Sequence, residues 1–335
     1  MGVVGALDRG QRRWSLFGLP IAVFYKYVDD QGNYLAAMIT YYAFISIFPL
    51  LLLGSSILGF FLQNDPRLAA QILDSALGSF PIVGDQLGRP GGIQGSVVGV
   101  VVGTAAALYG SLGLGQALQN ALNVAWSVPR NRRPNPLKLR LKSLLLLVTG
   151  GIAILAITTL STLGTDTTAF GTRFDDAVGW LIRLLSVLLL GSVLTLIFRM
   201  AAAQRHTLVR AAPGAFATAV MWQVLQYAGT VYVDRVIKET SGMNGTFALV
   251  LGLIGLIYVA AMMGMLGVEV NVVLARRLWP RSLASLFVDN TDLTEADRRA
   301  YAGYARSQLH KSISEVDVVF HDPETGEVRR TDEPL

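Results

Sequence analysis

Apolar positions in this chain gather into six long runs, at about 34–62, 93–126, 141–163, 178–198, 211–233 and 246–275. Each reaches or exceeds the roughly 20 residues that carry a helix across a hydrocarbon core. A helix resting on an aqueous core would show a polar face at 3.6-residue spacing, and most of these runs show none. The stretch "LLSVLLLGSVLTLIF" at 184–198 is apolar on every side. The pattern predicts an all-α, polytopic membrane protein: a six-helix transmembrane domain over 34–281, preceded by a segment 1–33 and followed by a soluble tail 282–335.

The polar residues inside the runs fall into stripes. In run one, Tyr34, Met38, Tyr42, Ser46 and Pro49 lie within about 120° of one another on a helical wheel. Pro49 also frees the carbonyl of Ile45, which in lipid needs a partner or a wet cavity. Both features predict an interior-facing, kinked helix, with Thr40 on the opposite side bonding back to its own helix and Tyr41 about 100° away in packing. Run two carries small residues at every fourth position: Gly95, Gly99, Gly103, Ala107, Ser111 and Gly115. Such a ladder lets backbones approach closely, either as a central packing helix or as a dimer face of a homo-oligomer. At 1.5 Å per residue the run would be about 50 Å long, so a bend or break is expected at "YGSLGLGQ" (109–116).

Beyond that point Gln116, Gln119, Asn120 and Asn123 form a carboxamide face that either glues helices or lines a cavity. Run five carries Gln223, Gln226 and Tyr227 on one stripe, and an unpaired amide at that depth is costly, so the stripe must face protein or water. Glu269, near the inner end of run six, has Arg199 at the inner end of run four as a candidate ion-pair partner. A helix-end pair near the headgroups, worth little, is the plainer alternative.

Charge sets the orientation. The N-terminal segment (Arg9, Arg12, Arg13, Lys26), the 2–3 loop (Arg130, Arg132, Arg133, Lys138, Arg140, Lys142), the 4–5 loop (Arg199, Arg205, Arg210) and the end of run six (Arg276, Arg277, Arg281) hold 16 Lys and Arg. The alternate loops hold 5. This bias predicts that both termini are cytoplasmic. It also predicts contact between the cationic rim and anionic lipid headgroups. The 2–3 cluster is interleaved with Pro and Leu, without stacking aromatics, so nucleic acid is not an expected partner.

Composition agrees with the pattern: 52% of residues are hydrophobic and 15% charged, and mean hydropathy is +0.48. Cysteine is absent, which excludes disulfides and thiolate sites. The start of the chain lacks the apolar core of a signal peptide, so insertion is expected to rely on the internal helices. Residues 14–33 carry five aromatics but are interrupted by Gly18 and Pro20, and read as an interfacial segment. Residues 65–80 read as a short amphipathic helix on the outer surface. The tail is acidic and predicts a helix opened by a Thr294/Asp297 capping box. A hairpin around "DPETG" follows, then a disordered end at 331–335, and this tail is a candidate docking element for a protein partner.

No enzyme signature is visible. The three histidines, His206, His310 and His321, lie outside the runs, and P-loop, G-x-S-x-G and H-E-x-x-H motifs are missing. A non-enzymatic protein without metal or cofactor is expected.

Four stretches resemble one family. They are "AAMITYYAFISIFPLLLL" in run one, "ALQNALNVAWSV" closing run two, "RAAPGAFATAVMWQV" opening run five and "GMLGVEVNVVLAR" closing run six. Over about 25–281 the chain resembles the YihY / virulence factor BrkB family of bacterial inner-membrane proteins. The resemblance implies six helices with cytoplasmic termini in the bacterial inner membrane. Some members carry a ribonuclease name, and others are linked to serum resistance or envelope lipid export. The positions that match are Tyr42, Ser46, Phe48, Pro49, Asn123, Pro213, Gly214, Trp222, Gly267, Glu269 and Asn271. Phe198-Arg199-Met200 departs from a common Tyr-Arg, which weakens any role for a hydroxyl there. The expected function is transport or flipping of a lipid or other amphiphilic envelope component. A membrane scaffold for envelope assembly is the alternative, and a ribonuclease has no catalytic residues to point to.

Overall fold

Long helices cover five of the six apolar runs. The computed structural model describes residues 10–11, 15–61, 97–135, 137–146, 149–150, 175–203, 207–232, 243–288, 292–321 and 328–330. Helix α1 spans Ser15–Asp29, α2 Gly32–Phe61 and α3 Val97–Ala125. A 3-10 turn at Arg130–Arg132 leads to the helical residues 137–146, here α4, the described part of run three. Then come α5 Asp175–Ala201, α6 Leu208–Tyr232, α7 Met243–Arg276 and α8 Glu295–Ser307. The only strands among the described residues, β1 Val319–His321 and β2 Val328–Arg330, pair antiparallel with Phe320 opposite Arg329. Gly95, residues 65–80 and residues 331–335 lie outside the described residues, as do the side chains of Pro49, Gly99, Gly103, Ala107 and Tyr227.

Among the described residues the regular structure is helical apart from that strand pair. Among the described residues, three helices are long and apolar enough to cross a membrane, with windows at Leu184–Ala201, Leu208–Gln226 and Val250–Arg276. Helix α7 packs on both α2 and α6, α3 packs on α2, α5 packs on α6, and α1 packs against α7.

The glycine-rich stretch of run two does not break its helix, because α3 is continuous from Val97 to Ala125. Its glycines serve close approach. A Cβ at Gly110 would stand 3.0 Å from Ser46 of α2, and one at Gly113 would run into the Tyr42 ring. One Cβ fewer at each position lets α2 and α3 touch along their small faces. On the described part of the ladder, Ser111 is buried and Gly115 meets Ser143 of α4.

The C-terminal ends of α3, α5 and α7 converge at one end of the bundle, the base. Helices α3 and α7 stop in the same way. Ser127 and Arg277 take positive φ (45° and 52°), and the next amides, Val128 and Leu278, reach back to Asn123 O (2.8 Å) and Val273 O (3.0 Å). This is the Schellman closure, and Val128 and Leu278 bury their side chains beside it. Carbonyls left over at these ends are met by cations. Lys26 of α1 donates to Ala125 O (3.0 Å), Arg276 to Trp126 O, and Lys142 of α4 to Ala202 O (2.6 Å). Negative helix ends and basic side chains therefore account for each other. They also bring the N-terminal, 2–3, 4–5 and post-run-six segments to the same end.

Helix α1 packs into this base through Ala22, Val23, Tyr25 and Lys26, leaving Phe24 and Val28 on its outer face. The tail returns to the base too. Thr294 and Asp297 form a reciprocal capping box on α8, and Thr294 Oγ1 also donates to Pro280 O (2.8 Å). Thr294→Ala removes the hydroxyl's bonds with Asp297 N–H and Pro280 O and leaves the backbone half of the box. It should cost about 1 kcal/mol of tail docking, seen as faster amide exchange along α8 with the bundle helices unchanged.

Candidate functional site

Two neighbouring features occupy the base, a half-open cleft and a set of buried charges. The cleft, of about 350 Å³, lies among α2, α3, the 3-10 turn and α4. Met38 and Tyr42 come from α2, Gly113, Gln116, Asn120 and Asn123 from α3, and Leu139 from α4. Arg133 closes one side. Its Nε donates to Val128 O (3.2 Å) and its Nη1 reaches Asn120 Oδ1 (3.4 Å), which aims the guanidinium. Burial, then the charge of Arg130, hold the Arg133 guanidinium below its ordinary pKa. It stays cationic all the same. A confined cation beside carboxamides and a phenol suits an anionic, hydrogen-bonding group.

The cleft unites four of the sequence candidates: Tyr42, Gln116, Asn120 and Asn123. Asn123 also accepts the Ala203 N–H (3.1 Å), tying α3 to the end of α5. Other candidates fall elsewhere. Tyr34 was expected on the interior face, but it is 69% exposed, because at 100° per residue it lies about 20° from the outward-pointing Tyr41 and shares its face. Ser46 is buried against Gly110 and donates to Ala43 O (2.9 Å), so it is part of the helix contact. Gln119 joins α3 to α4 through Ser143 Oγ (2.8 Å) and Leu139 O (3.0 Å). Gln223 and Gln226 on α6 are half-buried and do not line the cleft. Thr40 donates to Ala36 O (2.7 Å), and Tyr41 points outward, edge-on to Tyr42 at 5.2 Å between centroids.

The expected Glu269–Arg199 pair is replaced. Arg199 is exposed, and the cation nearest Glu269 is Lys26, with Nζ 3.7 Å from Oε2. The physical reason lies in α1, which inserts Lys26 between the ends of α3 and α7. Lys26 is 1% exposed and bonds Asp30, four residues along its own helix, as well as Ala125 O. Tyr304 of α8 lies over it, with Nζ 4.9 Å from the ring centroid. Burial raises the Asp30 pKa, partly offset by Lys26. Burial first, then Asp30 and Asp29, raises that of Tyr304.

Beside this cluster Arg281, fully buried, binds Asp297 through Nε and Asp29 through Nη2 (2.9 Å). Its guanidinium lies near the rings of Tyr25 and Tyr301. Lys26, Asp30, Arg133, Arg281 and Asp297 carry this architecture, yet charge counting treats the cations as rim and the tail acids as surface. One signal was available: "FYKYVDD" (24–30) sets Lys26 and Asp30 at i, i+4 on an aromatic helix.

The profile of the virulence factor BrkB family matches residues 23–285. The chain belongs to this family. No curated protein and no solved structure matches it significantly. The BrkB-family span contains the whole cleft and the Lys26–Asp30–Glu269 cluster. Of the Arg281 contacts, Asp29 lies inside that span, whereas Asp297 and the covering Tyr304 belong to the tail outside it. This BrkB-family chain thus closes its base with residues of its own tail.

Proposed function

We propose that this BrkB-family protein crosses the bacterial cytoplasmic membrane six times with both termini inside. In this reading it moves an anionic lipid or similar amphiphile, without catalysis, by taking the headgroup into the Arg133 cleft. The observation that carries the reading is the meeting of a half-buried guanidinium with Tyr42, Gln116, Asn120 and Asn123 in one half-open cleft. About 350 Å³ holds a headgroup but not its chains, so the acyl chains would stay in the bilayer while the polar end is transferred. The orientation rests on the four basic segments that meet at the base. Exposed Arg130, Arg132, Lys138, Arg140 and Arg210 leave that end cationic for contact with anionic headgroups.

The test is transfer of labelled phosphatidylglycerol and phosphatidylcholine between leaflets of proteoliposomes. Wild-type protein should accelerate the anionic lipid. Arg133→Gln, which removes a charge-assisted contact, should slow it by about tenfold or more. Equal rates in protein-free vesicles would end the transport reading.

A further inference from the structure

The cleft leaves the buried charges of the base unexplained, and they do not balance. Two carboxyl groups, Asp30 and Glu269, face one ammonium, Lys26. Glu269 is fully buried, and neither of its oxygens has a hydrogen-bond partner. Lys26 directs its hydrogen bonds to Asp30 and Ala125 O, and at 3.7 Å from Glu269 it is a charge neighbour only. The groups around the cluster do not remove the excess of acid. On α7, Arg276 donates to Trp126 O while its charge also acts on Asp30, and Tyr258 supplies no cation; on α1, Asp29 shares Arg281 with Asp297, so across the base four carboxyl groups face three cations. Tyr304 covers the cluster from α8 with its ring over Lys26, and the Tyr27 hydroxyl, near Glu269, is itself buried without a partner. The C-terminal ends of α3 and α7 add negative partial charge at the same place.

We propose that Glu269 binds a proton and shares it with Asp30, making Lys26–Asp30–Glu269 a buried proton site of zero net charge, roofed by Tyr304. A protonated Glu269 becomes a donor and can give its O–H to Asp30, a bond that two carboxylates cannot form. Two carboxyls in contact away from water take up one proton jointly, so the site titrates as a unit. A sodium ion would balance charge equally well. It would also need several oxygen ligands and would stand beside the Lys26 ammonium, so the proton is the better fit. The site shares the last turn of α3 with the cleft, since Asn123 lines the cleft and Ala125 O holds Lys26. The inference is independent of lipid transfer, and its test reads protonation.

The experiment uses the full-length protein in nanodiscs and infrared difference spectra between neutral and alkaline pH, together with thermal unfolding across the same range. Wild type should show the C=O stretch of a protonated carboxyl at neutral pH. Glu269→Gln and Asp30→Asn should each lose it, because one remaining carboxylate balances Lys26 without a proton. Glu295→Gln, which alters an exposed carboxylate paired with Arg298, should keep it. The native site holds a proton that the unfolded chain releases above the ordinary carboxylate range. Wild-type stability should therefore fall as pH rises, and both single variants should flatten that slope. If Glu269→Gln does not fold, Asp30→Asn carries the same comparison. Absence of the band in wild type, its persistence in both variants, or a sodium requirement for stability would overturn the proposal.

Discussion

Arg281→Ala should lower the unfolding free energy by about 3–5 kcal/mol, the largest effect expected of any single side chain at the base. The side chain is fully buried and joins three parts of the chain: its own loop after α7, Asp29 at the end of α1 and Asp297 in the first turn of α8. Burial alone would disfavour the cation, but Asp297 and then Asp29 override it and raise its pKa, so there is no neutral form to retreat to. Removing it strands two carboxylates. Asp297 is the more exposed to the loss, because it also accepts the Ser282 and Thr294 N–H groups (2.9 Å each) and closes the capping box. Arg281→Lys should recover only part of the stability, since one ammonium cannot reach both acids as the planar fork does. Denaturant unfolding in detergent measures the loss, and limited proteolysis should show the tail released first. A midpoint within error of wild type would refute this account of the base.

Gly214→Leu should be nearly as damaging, at about 3 kcal/mol or more, through a different mechanism. Helices α6 and α7 touch backbone to backbone here. A Cβ at Gly214 would collide with the Gly267 carbonyl, and one at Gly267 would meet Thr218. Asn271 completes the contact by accepting the Gly214 N–H (2.7 Å) and donating to Ala211 O (2.9 Å). Thr218 adds a bond to Gly214 O (2.9 Å). Between apolar helices in lipid, such close approach and amide bonding are the available sources of association. Leucine would wedge the helices apart and leave buried backbone groups without partners. Gly255→Ala on α7 is the control, since its Cβ would meet nothing within 4 Å and should change little. The measurement is the monodisperse yield and thermal midpoint of each variant. Equal values for Gly214→Leu and Gly255→Ala would show that the α6–α7 contact does not hold the bundle.

Some of this site was legible in the chain. Tyr42, Gln116, Asn120 and Asn123 could be singled out because a polar side chain on an apolar helix has few places to go, and those four line one cleft. The same reasoning selected Gln119 and Ser46, which turned out to be helix contacts. A wheel gives the direction of a side chain but not what stands opposite it. Tyr34 shows the limit most plainly, since the arc that grouped it with Tyr42 also reaches to about 20° from Tyr41, and the packing leaves that edge of α2 exposed.

The sequence alone determined what depends on neighbours along the chain. Six apolar runs, the small-residue spacing of run two and the capping box of α8 are local, and their physics acts within a few residues. Tertiary structure decided what depends on partners far apart in sequence. It turned the glycines of "YGSLGLGQ" into a contact with Tyr42 and Ser46, where glycine's two uses, bending and close approach, could not be told apart beforehand. It gave Glu269 to Lys26 in place of Arg199, and it set Arg281 between the two ends of the molecule. Charge counts assign a side of the membrane to a loop, but burial belongs to the packed bundle. At this base, burial made cations of the rim into caps for helix ends.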